Sequence, residues 1–170
     1  MNKQPIIIVS GEPNSVFLEI FFKCIKKIKQ TRPLIIIVSK KLLIKQMIKL
    51  GFNYKINLIN KDYKDFNKLD NKKINIINVN YNFQKPFEKI SARSNTYINN
   101  SFKIALEVLK KNKLTKFING PISKKYFLNG KNLGITEYLA QKTKRKDKVA
   151  MLIFNKKLSV TPITTHLALK

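Results

Sequence analysis

Pro5-Ile6-Ile7-Ile8-Val9-Ser10-Gly11-Glu12-Pro13 is the stretch from which the fold can be read. Its first five residues are an unbroken apolar, mostly β-branched run, the composition of a strand buried on both faces. Ser10-Gly11-Glu12-Pro13 then turns the chain. Apolar residues recur at helical spacing from about Ser15 to Lys29 and put Phe17, Leu18, Phe21, Cys24, Ile25 and Ile28 on one buried side. Thr31-Arg32-Pro33 breaks that helix, and Leu34-Ile35-Ile36-Ile37-Val38 repeats the pattern of the first strand. A strand–helix–strand of this kind is the unit of a parallel sheet with right-handed crossovers. The expected class is α/β, a three-layer α/β/α arrangement with a mostly parallel sheet.

Working outward, Ser39 is placed to cap a helix that runs to Leu50 and stops at Gly51. Tyr54 to Ile59 and Ile74 to Val79 read as further strands, joined by a polar Asn/Lys/Asp-rich connector. After an irregular segment from Tyr81 to Lys89, Ser91 is placed to cap a long helix over about Ala92 to Lys111. Its apolar positions Ile98, Phe102, Ala105, Leu106 and Leu109 share one face. Lys116 to Ile118 is a short strand, Ser123 to Leu128 a short helix, and another helix starts near Thr136. Val149 to Phe154 and Leu158 to Ile163 form an expected hairpin, with Asn155 suited to a positive φ in the turn. No repeat, linker or internal boundary interrupts the pattern.

The formal charge of +26 invites a nucleic-acid reading, but its make-up argues against a specific one. Of the 35 basic residues only Arg32, Arg93 and Arg145 are arginine, the residue that supplies bidentate base and phosphate forks. Lysine, isoleucine and asparagine are enriched together, as adenine- and thymine-rich codons would produce. Most of the charge therefore reads as solvated surface with nonspecific affinity for polyanions. Cys24, the only cysteine, cannot form an intramolecular disulfide and reads as a core thiol. No signal peptide and no apolar run of membrane-spanning length is visible, so a soluble, cytoplasmic protein with no membrane partner is expected.

Three loops, each after an expected strand, carry the candidate chemistry. They are Ser10-Gly11-Glu12-Pro13, Asn119-Gly120-Pro121-Ile122-Ser123-Lys124 and Thr164-Thr165-His166. Gly11 lacks the glycine partners of a dinucleotide or Walker loop. Lys124 suits a phosphate as a point charge and equally suits plain surface. His166, the only histidine, would stand at the carboxyl end of the Leu158–Ile163 strand, where ligands collect in open α/β sheets. A neutral imidazole there can bind a divalent metal, and a hydrogen-bonded loop or core histidine fits the same sequence.

Taken in order, these segments resemble the 4-hydroxythreonine-4-phosphate dehydrogenase family of pyridoxal phosphate biosynthesis. The matching residues are Gly11-Glu12-Pro13 with Glu19, Ser91-Ala92, Gly120-Pro121-Ile122-Ser123-Lys124, Gly134-Ile135-Thr136-Glu137, and Thr164-Thr165-His166-Leu167-Ala168-Leu169. The resemblance implies a fold like that of isocitrate and isopropylmalate dehydrogenases. It implies NAD-dependent oxidation of the phosphorylated small-molecule substrate 4-phosphooxy-L-threonine, with decarboxylation to 3-amino-2-oxopropyl phosphate. It also implies a divalent metal (zinc, magnesium or cobalt) and a homodimer whose second subunit completes the cleft. By position His166 matches one of three histidine metal ligands, and Thr136 matches the threonine of a substrate-binding His-Thr pair. Ile135 stands where the family has that histidine, and Asn14-Ser15-Val16 replaces the glycines that follow Gly-Glu-Pro. Family chains are longer and carry the other two metal histidines and most cofactor contacts further on. Residues 1–170 are therefore expected to be the N-terminal part of a longer dehydrogenase, inactive alone. Two alternatives remain at this stage. One is a dehydrogenase of phosphorylated four-carbon sugar acids; the other is a noncatalytic basic α/β protein that binds polyanions.

Overall fold

The computed structural model of the chain describes residues 4–145 and 148–163. It divides into two compact units, residues 1–127 and 128–170.

In the first unit five parallel strands form one sheet in the order β3-β4-β2-β1-β5. They are β1 (Ile6–Val9), β2 (Leu34–Val38), β3 (Ile56–Leu58), β4 (Ile74–Asn78) and β5 (Phe117–Asn119). The isoleucine runs lie at its centre: Ile8 pairs with Ile36, and Ile36 with Ile76. Because side chains alternate across a pleat, the even-numbered residues Ile8, Ile36, Val38, Ile74 and Ile76 face one layer. That layer is built from α1 (Phe17–Lys27) and α2 (Lys40–Lys49), through Leu18, Phe21, Phe22, Leu43 and Met47. On the other face α3 (Asn95–Lys111) packs over β1 and β2, and its Phe102 ring meets Phe117 of β5 at 6.2 Å. The unit is the three-layer α/β/α arrangement expected from the sequence.

The helices differ from the sequence reading on α1 and at the start of α3. Cys24 is exposed rather than a core thiol, and Ile28 is 52 % exposed. The buried stripe of α1 is centred on Leu18, Phe21, Phe22 and Ile25. At about 100° per residue, Cys24 points roughly 110° away from that centre and Ile28 roughly 70°. The long helix begins at Asn95 behind a single 3-10 turn at Ala92–Ser94, and Ser91 makes no side-chain cap bond. Ser39 does cap α2 as expected, accepting from Leu42 N, and Gly51 follows the helix at φ +71.

The second unit contains α4 (Ile135–Lys142) and an antiparallel pair, β6 (Ile153–Phe154) with β7 (Ser159–Val160). The Leu158–Ile163 segment thus joins a separate two-stranded sheet, not the edge of the parallel one. Asn155 does not take a positive φ. Instead its Oδ1 accepts from Lys157 N at 3.0 Å and its N donates to Leu158 O at 3.0 Å, so the side chain closes the turn without a left-handed backbone.

Candidate functional site

Parallel strands deliver the segments that follow them to one edge of the sheet. Here that edge gathers Ser10–Asn14 after β1, Ser39 after β2, the residues up to Tyr81 after β4, and Gly120-Pro121 after β5. The first and last of these interlock. Gly120 N donates to Val9 O at 2.7 Å and Glu12 N donates to Pro121 O at 2.8 Å. No side chain fits between them: a Cβ on Gly120 would lie 2.2 Å from Ser10 O, and one on Gly11 2.3 Å from Pro121 O. Close backbone approach, and the φ of +71 at Gly11, are why both positions are glycine.

Glu12 is buried at this crossing, 3 % exposed. Ser94 Oγ donates to its Oε2 at 2.8 Å and Asn14 N to its Oε1 at 3.4 Å. Ser94 occupies the N-cap of α3, yet its hydroxyl makes no bond to the amides of that helix and lies between two acceptors, Glu12 Oε2 at 2.8 Å and Ser91 O at 3.0 Å. Burial pushes the Glu12 carboxyl above its ordinary 4.5, while the Ser94 and Asn14 hydrogen bonds pull it back part of the way. The folded protein therefore favours protonated Glu12. Its stabilising contribution is complete below about pH 4.5 and is lost as pH rises through the folded-state value. Glu12→Gln removes that loss. In urea unfolding the variant should gain on its parent between pH 4 and pH 7, the other carboxylates cancelling in the comparison. A difference that stays constant with pH would show that Glu12 does not titrate above its ordinary range.

Tyr97, fully enclosed on α3, joins the remaining loops. Its hydroxyl accepts from Ser39 N at 3.3 Å and pairs with Ser10 Oγ at 2.9 Å, and its ring lies 5.0 Å from that of Tyr81. Burial raises its pKa as well. Asn14 continues the network, donating from Nδ2 to Tyr81 Oη at 3.4 Å and accepting from Glu88 N at 3.2 Å. Gln46 Nε2 ties Pro13 O to α2 at 2.8 Å. Tyr97 is absent from the residues singled out in the sequence. The signal for it is the spacing of Tyr97, Ser101, Ala105 and Val108, which mark the buried face of α3 once small and polar residues are counted.

Of the residues expected at the site, Gly11, Glu12, Pro13, Gly120 and Pro121 come together. Glu19 lies on α1 in an ion pair with Lys23 one turn on. Lys124 is exposed in a single wide turn, Lys124–Leu128. In the second unit Ile135 and Thr136 are the half-buried first residues of α4, after Gly134. His166, with Thr164 and Thr165, lies outside the described residues. Among the described residues no group of three His, Cys, Asp or Glu side chains comes together to hold a metal ion, and the described residues do not by themselves fit one. No helix among them is long and apolar enough to cross a membrane.

A carboxyl group, hydroxyls and backbone groups fixed at the carboxyl edge of an open parallel sheet define an α/β protein, and that edge is where such sheets collect ligands. The family model for the pyridoxal phosphate biosynthetic protein PdxA matches residues 29–170, and the chain belongs to that family. A 4-hydroxythreonine-4-phosphate dehydrogenase from a Sulfurihydrogenibium species is 32 % identical over 168 residues, 97 % of this chain and 50 % of that protein. Crystal structures of 4-hydroxythreonine-4-phosphate dehydrogenases share the fold. The one from Burkholderia phymatum superposes with a TM-score of 0.81 at 24 % identity, covering 99 % of this chain and 52 % of its own. The one from Klebsiella pneumoniae gives 0.78 at 19 %, with 99 % and 52 % covered. The chain thus spans about half the length of the relatives it matches.

Proposed function

We propose that this chain is the N-terminal part of a dehydrogenase that oxidises 4-phosphooxy-L-threonine with NAD, the product losing carbon dioxide to give 3-amino-2-oxopropyl phosphate. The enzyme is a cytoplasmic homodimer assisted by a divalent metal (zinc, magnesium or cobalt), and the chain alone is inactive. The observation that carries this reading is the interlock of the Gly11-Glu12-Pro13 and Gly120-Pro121 loops. Two motifs far apart in sequence, both among those that carry the family resemblance, meet at the carboxyl edge of the sheet, where open α/β sheets collect ligands. In this reading Glu12, Ser94 and Tyr97 form a rigid frame rather than acid–base groups, because their polar atoms are already hydrogen-bonded, Glu12 with Ser94 and Tyr97 with Ser10 and Ser39. Thr136 binds substrate and His166 is one metal ligand. A bound metal would act as a Lewis acid toward the hydroxyl oxygen on the carbon being oxidised.

A chimera carrying residues 1–170 in place of the matched half of the Sulfurihydrogenibium relative should reduce NAD when given 4-phosphooxy-L-threonine, and the 170-residue chain alone should not. Turnover by the chain alone overturns the reading, as does a folded chimera that is inert beside an active parent.

Ile135 favours a second reading, a dehydrogenase of phosphorylated four-carbon sugar acids. Its side chain neither donates nor accepts a hydrogen bond, so a polar group on the family substrate would lose its partner. In the chimera Ile135→His should raise kcat/KM on 4-phosphooxy-L-threonine by about tenfold if only that contact is missing. No change, together with faster turnover of a sugar-acid phosphate, would favour the second reading. If Thr136→Ala leaves kcat/KM intact on every substrate, this loop does not bind substrate.

A further inference from the structure

Asn-Gly occurs twice in the chain, at Asn119-Gly120 and Asn129-Gly130, and the fold holds the two pairs in opposite ways. The dipeptide is chemically labile. Once deprotonated, the glycine amide nitrogen can attack the asparagine Cγ, because glycine has no Cβ to block the approach. At Asn119-Gly120 that nitrogen is committed. Gly120 N donates to Val9 O at 2.7 Å, and Asn119 is paired with Val9 in the β1–β5 ladder. Asn119 Nδ2 in turn donates to Gly120 O at 3.1 Å. Bringing the nitrogen to Cγ would turn this peptide out of the sheet and break its crossing with the Gly11 loop. Asn129-Gly130, in the second unit, is under no such restraint. Both residues are exposed, and both have positive φ, 45 and 71. With Lys131 N donating to Leu128 O at 2.9 Å, they are the central pair of a type I′ turn. Among the described residues Gly130 N has no acceptor and the Asn129 side chain has no partner. A Cβ added at Gly130 would meet nothing within 4 Å, so the space around the nitrogen is open.

We propose that Asn129 is a site of spontaneous modification, deamidating through a succinimide, and that the sheet shields Asn119 from the same reaction. The bond from Gly130 N to Asn129 Cγ forms and the Cγ–Nδ2 bond breaks, the side-chain nitrogen leaving as ammonia. Water then opens the five-membered ring at either carbonyl and gives aspartate or isoaspartate. The net exchange is ammonia for water, and nothing is oxidised or reduced. Either product places a negative charge beside Lys131. Isoaspartate also lengthens the main chain by one carbon in the turn that precedes α4. The reaction needs neither substrate nor cofactor, so it is independent of the enzymatic reading.

Incubating the 170-residue chain in mildly alkaline buffer, followed by peptide mass spectrometry, tests this. Trypsin separates the two pairs into peptides 117–124 and 126–131, and each becomes heavier by one mass unit on conversion. In urea above the unfolding transition only the dipeptide matters, and both peptides should convert at similar rates. Below the transition, conversion in 126–131 should run about 100-fold ahead of that in 117–124, because the shielded pair reacts only when the sheet opens locally. The rate in 126–131 should also rise in proportion to hydroxide, as attack by a deprotonated amide requires. Equal rates in the folded chain would overturn the shielding. An unconverted 126–131 peptide in the folded chain, beside ready conversion in urea, would overturn the site. Asn129→Gln must close a six-membered ring to react, so it should abolish the mass shift in 126–131 and leave 117–124 as before. A shift that persists in that variant would rule out the succinimide route.

Discussion

Gly120→Ala and Gly11→Ala should each lower stability by about 3 kcal/mol or more, at the upper end of single substitutions. The added methyl would meet backbone in both cases, Ser10 O at 2.2 Å and Pro121 O at 2.3 Å, and backbone held by flanking strands cannot turn aside as a flexible side chain can. Gly11→Ala carries the further cost of an L-residue at φ +71, about 1–2 kcal/mol. Gly51 isolates that second contribution, since it has the same φ and nothing within 4 Å of an added Cβ. Urea unfolding of the three variants should therefore put Gly51→Ala about 1 kcal/mol below the parent and the two crossing-loop variants well below it. Equal losses at all three sites would mean that the loops can part without penalty.

The other large effect is expected from Phe22→Ala, at about 3–5 kcal/mol. Phe22 is 0 % exposed, and its ring is surrounded by those of Phe21 at 6.0 Å, Phe52 at 5.3 Å and Tyr54 at 6.1 Å. Rings anchored on separate elements cannot all move inward, so truncation leaves a void beneath α1. Ile20→Ala on the same helix is the control: Ile20 is 51 % exposed, and its loss should fall within about 0.5 kcal/mol. A cost for Phe22→Ala near that of Ile20→Ala would mean that α1 is not held through this cluster.

What the sequence made legible followed from how local its cause was. The central strands could be read directly, because runs such as Ile35-Ile36-Ile37 have no other comfortable place than the middle of a covered sheet. Ser39 and Gly51 were legible for the same reason, since a cap and a stop act within one turn of the residues they serve. Cys24 and Ile28 were misplaced because a list of apolar spacings does not fix where the centre of a buried stripe lies. Ser94 was missed in favour of Ser91 because its hydroxyl answers to Glu12, a residue brought near only by the folded sheet. Tyr97 was missed on the same ground: a tyrosine on an apolar helical face signals burial, and its partners Ser10 and Ser39 are set by topology. Both site loops could be named from sequence, but their crossing could not, because the distances that demand glycine exist only once β1 and β5 are neighbours.

That adjacency orders events while the protein is being made. In the sheet the last of the five strands to be synthesised pairs with the first, while β1, β2 and β4 can assemble as soon as they are available. Glu12 acquires its contact with Pro121 only after β5 has left the ribosome. Until then the Gly11-Glu12-Pro13 segment stays hydrated at an open edge, beside a β1 strand with one side unpaired. Sequence-distant pairing of this kind is slow to form and leaves such edges open to other chains in the meantime. The interval before β5 docks is therefore when a nascent chain is most exposed to mispairing, and a pause placed just after β4 would lengthen it.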